Sequence, residues 1–457
     1  MAIFIGTPND DTYFVTAGDV VLEAPNQGYD SVYVISQAIT YSLTAGSHVE
    51  LLGVHDQNRT ESINLTGNEL AQYISGNRGR NILDGGGGAD ILYGRQDDDT
   101  YYVDGDDTVI DFVGEGFDIV YARSSFVLSA GAAIEVLATV NEQATTAIDL
   151  TGNELDNYIT GNAGMNRLDG GPGGSDTLWG RDGDDSYFVD DIFDSVVEMA
   201  GQGNDVVYAR GSYTLGAGQS VEVLATANNF ATTAINLTGN EADNYLVGNF
   251  GANILDGGSG ADQLWGREGD DSYFVDGNDV VVEYGGHGRD TVYARSSHTL
   301  SAGFEIEVLG TADNTATTAI NLKGNELANY VTGNAGTNLI DGGAGSDYLE
   351  GRGGADVFAF TTTPGSANVD VIADFAPGAD KIGLDDAIFA GIGTPGSFNA
   401  NAFVAGSAAA DADDRIIYNQ ANGQLLYDAD GNGAGQAVLF AIVSGAPALG
   451  AGDFAVI

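Results

Sequence analysis

The 457-residue chain has no cysteine, 7 prolines and two lysines, Lys323 and Lys381. Without cysteine there is neither a disulfide scaffold nor a thiolate zinc site. Basic residues number 15 against 66 acidic ones, a formal charge of −51. Phosphate backbones would repel such a surface, so nucleic-acid binding is excluded. No run of 18 apolar residues occurs, so no membrane-spanning helix is predicted. The opening Met1-Ala2-Ile3-Phe4-Ile5-Gly6 lacks a basic n-region and an apolar stretch, so a classical signal peptide is not expected there. The histidines are His48, His55, His287 and His298, and none forms HExxH; no serine sits in GxSxG. Zinc-protease and lipase chemistries therefore lack their central residues.

What is present argues against disorder. The chain is 43% hydrophobic, with 21 Tyr and 19 Phe, enough to build a core. Glycine, at 68 residues, is about twice as frequent as usual. Something must neutralise the acid before such a chain compacts, and a hard cation suits an oxygen-rich sequence.

Internal repetition sets the plan. Gly67-Asn68-Glu69 recurs as Gly152-Asn153-Glu154, Gly239-Asn240-Glu241 and Gly324-Asn325-Glu326, at spacings of 85, 87 and 85 residues. Within each long unit lies a period of nine, first as 67–75, 76–84, 85–93 and 94–102. The third nonad carries Gly85, Gly86, Gly88 and Asp90, and the register repeats with Gly257, Gly258, Gly260 and Asp262, then Gly342, Gly343, Gly345 and Asp347. In the second unit one extra residue stretches this nonad to ten, 170–179. Nine residues suit one short strand and one tight turn. Glycine at places one, two and four is expected to take positive φ and aim carbonyls inward. Asp or Asn at place six adds a side-chain oxygen, and the apolar residue at place eight points into a core. Oxygen ligands alone favour Ca²⁺.

This nonad resembles the RTX, or haemolysin-type calcium-binding, repeat, in four in-register clusters. The resemblance implies an all-β fold: a right-handed parallel β-roll or β-helix solenoid with two nonads per turn. It also implies Ca²⁺ between a turn and the turn two nonads later. The pairs on one side would be Gln72/Asp90, Asn157/Asp176, Asn244/Asp262 and Asn329/Asp347. Opposite them would lie Asn81/Asp99, Asn166/Asp185, Asn253/Asp271 and Asn338/Asp356. That gives about eight ions or more, with affinities on the order of 10⁻⁴–10⁻³ M. Weaker copies, Asp107/Asp118, Asp194/Asp205 and Asp279/Asp290, lie in the intervening segments as further ion sites or turn caps.

Three regions are expected: a partial repeat unit at 1–66, the calcium-binding repeats at 67–360, and a β-rich tail at 361–457. Asp370-Val371-Ile372-Ala373-Asp374-Phe375, Gly378-Ala379-Asp380-Lys381-Ile382 and the closing Asp453-Phe454-Ala455-Val456-Ile457 resemble the C-terminal domain of serralysin-type RTX proteins. That likeness implies an uncleaved signal read by type I secretion machinery. It further implies release from a Gram-negative bacterium to the cell surface or beyond, with folding on extracellular calcium. Asp428-Ala429-Asp430-Gly431-Asn432-Gly433 begins like an EF-hand loop, but place twelve is Leu439, so a hairpin turn is expected. Residues 1–66 already read as repeat, leaving no separate catalytic domain, and a non-enzymatic structural role in a surface layer, matrix or adhesion is expected. Self-assembly through sheet edges is one route to such a role. Tyr93, Trp179 and Trp265, beside Arg95, Arg181 and Arg267, form an outward column with two readings, polysaccharide binding and covering of neighbouring solenoid surface; the covering role is the expected one.

Overall fold

A computed structural model describes residues 1–37 and 39–457, which separate into two units, Met1–Ala227 and Asn228–Ile457. Both are all-β and built as parallel solenoids. Among the described residues the only helices are two single 3₁₀ turns, Ala400–Ala402 and Ala451–Asp453, and none is long and apolar enough to cross a membrane.

In the first unit the nonads 67–102 supply strands Tyr73–Ser75, Ile82–Asp84, Ile91–Tyr93 and Thr100–Val103. Pairing skips one strand each time: Tyr73 lies beside Ile91 and Ile82 beside Thr100, all parallel. The register is 18 residues, two nonads per turn, so alternate strands fall into two sheets. Place eight drives this arrangement. Ile74, Leu83, Leu92 and Tyr101 are fully buried, while most strand neighbours stay at least partly exposed. A three-residue strand with one inward side chain leaves little apolar area per turn, so stacking of turns must complete the core.

The intervening segment continues the coil. Thr100–Val103 pairs with Ile119–Ala122, which pairs with Val136–Thr139, which pairs with Tyr158–Thr160. The extra residue of the second nonad cluster is absorbed in its turn, where Gly173 and Gly174 take φ of +81° and +92°. Strand register resumes immediately, with Tyr158 beside Thr177.

The second unit repeats the plan. Ile254–Asp256 pairs with Ser272–Val275, then Thr291–Ala294, Val308–Thr311, Tyr330–Thr332 and Tyr348–Glu350 follow in parallel. Two solenoid strands lie beyond residue 360: Asp370–Ile372 beside Tyr348–Glu350, and Lys381–Leu384 beside Val357–Phe360. Val438–Val443 then adds in parallel to Asp370–Ile372, and the sheet turns antiparallel through Gln424–Tyr427 and Ile416–Asn419. The EF-hand-like residues 428–433 form part of the turn between Gln424–Tyr427 and Val438–Val443.

Candidate metal centres

The turn glycines divide into two kinds. At places two and four the expected positive φ is present: Gly86 +91°, Gly88 +102°, Gly258 +93°, Gly260 +134°, Gly343 +90° and Gly345 +114°. Place one departs from expectation, because Gly85, Gly257 and Gly342 do not take positive φ. Space is the reason there. A Cβ on Gly85 would stand 2.6 Å from Asp90 Oδ2, so glycine lets the sixth-place side chain fold under its own turn.

That side chain makes a ladder. Asp90 Oδ1 accepts from the backbone N–H of Gln72 at 2.6 Å, and Asp99 Oδ1 from Asn81 at 2.6 Å. The same bond joins Asn157 to Asp176, Asn166 to Asp185, Asn244 to Asp262, Asn253 to Asp271, Asn329 to Asp347 and Asn338 to Asp356, at 2.6–2.8 Å. All eight pairs named from the sequence are thus adjacent rungs.

The amide members have a different occupation from the carboxylates. Asn81 Oδ1 accepts the N–H of Asn77 at 2.8 Å, while its Nδ2 donates to the Ile63 carbonyl at 2.9 Å. Gln72 Oε1 likewise accepts from Asn68, and Asn157, Asn166, Asn244, Asn253, Asn329 and Asn338 close their turns the same way. An amide NH₂ here supplies the positive pole that a carbonyl needs. Where the column changes to aspartate that donor disappears, and a cation is wanted in its place.

The ladder then runs into acids that sequence reasoning rated as weaker copies or quoted only for the tail. Asp90 N–H donates to Asp107 at 2.9 Å and Asp99 N–H to Asp118 at 2.7 Å. Asp176 meets Asp194, Asp185 meets Asp205, Asp262 meets Asp279 and Asp271 meets Asp290. Asp347 and Asp356 meet Asp370 and Asp380, both at 3.0 Å. Their spacing from the preceding rung, 17 to 24 residues, hides them from a strict period of eighteen.

Each such carboxylate has one oxygen held by an N–H. In nine the other is orphaned: Oδ2 of Asp90, Asp99, Asp118, Asp176, Asp185, Asp205, Asp262, Asp271 and Asp347 is buried without a hydrogen-bond partner, whereas Asp107, Asp194, Asp279 and Asp380 use theirs to accept a second backbone N–H. Burial, reinforced by neighbouring carboxylates, pushes Asp90, Asp176, Asp185, Asp262 and Asp271 up to about 7 and Asp99 up to about 8, although the ladder bond works against it. No Lys, Arg or His forms an ion pair with any of these nine among the described residues. A buried anion must be paired, protonated or bound to metal, and all-oxygen donors on glycine turns fit Ca²⁺.

The cations of the chain are spent elsewhere. Arg123 grips Asp84 with two bonds of 2.9 and 2.8 Å, and Arg210–Asp169 and Arg295–Asp256 repeat the clamp. Arg95, Arg181 and Arg267 lie over the rings of Tyr93, Trp179 and Trp265 at 4.8, 4.2 and 4.1 Å, each at positive φ. Those rings lean on their own arginines, and Arg181 also pairs with Glu142 at 3.0 Å.

No curated protein matches the chain. A family model, the RTX calcium-binding nonapeptide repeat (4 copies), matches residues 66–101, 151–186, 173–191, 238–273 and 323–358. These ranges fall on the four nonad clusters, and the four long ones end one or two residues past Asp99, Asp185, Asp271 and Asp356. The chain is an all-β parallel solenoid carrying RTX calcium-binding repeats.

Proposed function

We propose that this is a secreted, non-catalytic protein whose solenoid is assembled by extracellular Ca²⁺ and which serves as a structural or surface-associated component. One observation carries the reading: buried carboxylates stacked turn on turn, nine of them with one oxygen lacking any partner. Asp90/Asp107, Asp176/Asp194, Asp262/Asp279 and Asp347/Asp370 would hold ions along one column. Asp99/Asp118, Asp185/Asp205, Asp271/Asp290 and Asp356/Asp380 would hold them along the other. The amide residues before them close turns rather than carry charge. Calcium binding then becomes folding free energy, so the chain stays extended where calcium is scarce and compacts where it is abundant. The tail acts as the type I export signal in this reading.

Circular dichroism during calcium titration tests the core. Sheet signal should rise cooperatively with calcium and collapse on adding EDTA; equal sheet content in EDTA would refute it. Electron microscopy of the calcium-loaded chain tests the structural role, which predicts lattices or filaments rather than dispersed single particles.

A further inference from the structure

Three of the eight rungs carry a third carboxylate. One oxygen each from Asp99, Asp111 and Asp118 lies within 4.8 Å of the others, and Asp185, Glu198 and Asp205 and also Asp271, Glu283 and Asp290 form the same cluster. All nine residues are at most 2% exposed. A tyrosine anchors each third carboxylate. Tyr101 Oη accepts the N–H of Gly94 at 3.0 Å and donates to Asp111 Oδ2 at 2.5 Å. Tyr187 does so between Gly180 and Glu198, and Tyr273 between Gly266 and Glu283.

Two independent observations point to a ligand. First, oxygens face the interior of each cluster with no partner: Oδ2 of Asp99 and Asp118; Oδ2 of Asp185 and Asp205 with Glu198 Oε2; and Asp271 Oδ2 with Glu283 Oε2. Hydrogen bonding inside the protein is therefore incomplete at all three. Second, the chain contains its own control. In the next repeat Asp356 and Asp380 keep the rung, but Phe358 stands where the tyrosine was and Phe375 packs against it, ring centroids 6.1 Å apart. Tyrosine and the third carboxylate are lost together, and Asp356 is not among the orphaned acids. A carboxylate serving only as a tyrosine acceptor would not need two acidic neighbours, and three acids without a counter-ion would be costly in a dry interior.

We infer that at these three rungs Asp99/Asp111/Asp118, Asp185/Glu198/Asp205 and Asp271/Glu283/Asp290 form internal three-carboxylate cages, each taking one Ca²⁺ and distinct from the five rungs that have two carboxylates. Oxygens on opposite sides of a calcium ion stand up to about 5 Å apart at the usual Ca–O lengths, so the observed spread suits one shared ion. Three formal charges against two on a rung, and a third ligand fixed by tyrosine, make the cages the tighter class. Affinity for calcium rises with ligand charge and rigidity. The inference rests on the calcium reading above but makes a separate demand on it.

Calorimetric titration of the full chain with calcium, comparing wild type with Asp111→Asn/Glu198→Gln/Glu283→Gln, tests it. The amides keep an acceptor for each tyrosine. The number of tightly bound ions should fall by three from wild type to the variant, or those three should weaken by about ten-fold or more, while the remaining ions persist. An unchanged titration would mean that the cages hold protons instead, and would overturn the inference while leaving the calcium-folding reading intact. No calcium uptake by wild type would sink both. Terbium luminescence guards against a variant that fails to fold. Tyrosine-sensitised emission from wild type should fall by most of its intensity in Tyr101→Phe/Tyr187→Phe/Tyr273→Phe, and emission equal in the two chains would count against the cages.

Discussion

Stripped of calcium, the solenoid should be more stable in mild acid than at neutral pH. The sign follows from the buried acids. An aspartate in the unfolded chain titrates near 4, whereas burial raises Asp90, Asp176, Asp185, Asp262 and Asp271 to about 7 and Asp99 to about 8 when no metal is bound. Between those limits the folded chain binds more protons than the unfolded one. Stability is therefore fully present below about pH 4 and drains away as pH rises through 7 to 8. A displacement of three pH units corresponds to about 4 kcal/mol per group, and two or three such groups equal the whole stability of an ordinary domain, about 5–15 kcal/mol. The calcium-free chain should thus be unfolded near pH 8 and regain sheet on acidification towards pH 5. Urea unfolding in EDTA at both pH values, followed by circular dichroism, measures this directly. Adding calcium near pH 8 should restore what protons supply in acid. Equal calcium-free stability at the two pH values would refute the reasoning, because the orphaned oxygens would then need neither proton nor metal.

Other perturbations have separable outcomes. Replacing Asp90, Asp262 and Asp347 together by Ala should raise the calcium midpoint for folding, read by circular dichroism, since each removes an orphaned oxygen. Gly86→Ala should destabilise the calcium-bound form by about 1–2 kcal/mol from left-handed strain alone, and by more because its Cβ would stand 2.5 Å from the Asn68 carbonyl oxygen; thermal melting checks this. Arg210→Ala should cost about 0.5–1.5 kcal/mol, because it removes the two-bond clamp but leaves Asp169 paired with Arg167 at 2.8 Å. Arg80→Ala should cost less than about 1 kcal/mol, because that arginine is 67% exposed.

The solenoid was legible because one inward residue every nine places leaves a strict trace. Ile74, Leu83, Leu92 and Tyr101, at the eighth places, all lie in the core. Pairing of Gln72 with Asp90 followed from the same arithmetic, since two nonads make one turn. Roles within the pairs were less legible. An asparagine and an aspartate at one place look equivalent as oxygen donors, and only the structure shows Asn81 returning its oxygen to Asn77. The third cage acids escaped for a different reason. Asp111, Glu198 and Glu283 follow their tyrosines by 10, 11 and 10 residues, in segments of uneven length, and a lone acid there reads as solvated surface. The one visible clue was Phe358 in a column of tyrosines.

Every rung bond runs in one direction: the N–H belongs to the earlier turn and the carboxylate to the later one. Each turn is thus left with an exposed donor until its C-terminal neighbour is laid down, and the coil has a chemical head and tail. At the matched repeats' far end those donors, on Asp347 and Asp356, are closed by Asp370 and Asp380. These lie on or beside strands beyond the last repeat. The segment after residue 360 therefore supplies the acceptors that complete the last repeat, so the two ends of the repeat stack differ in chemistry.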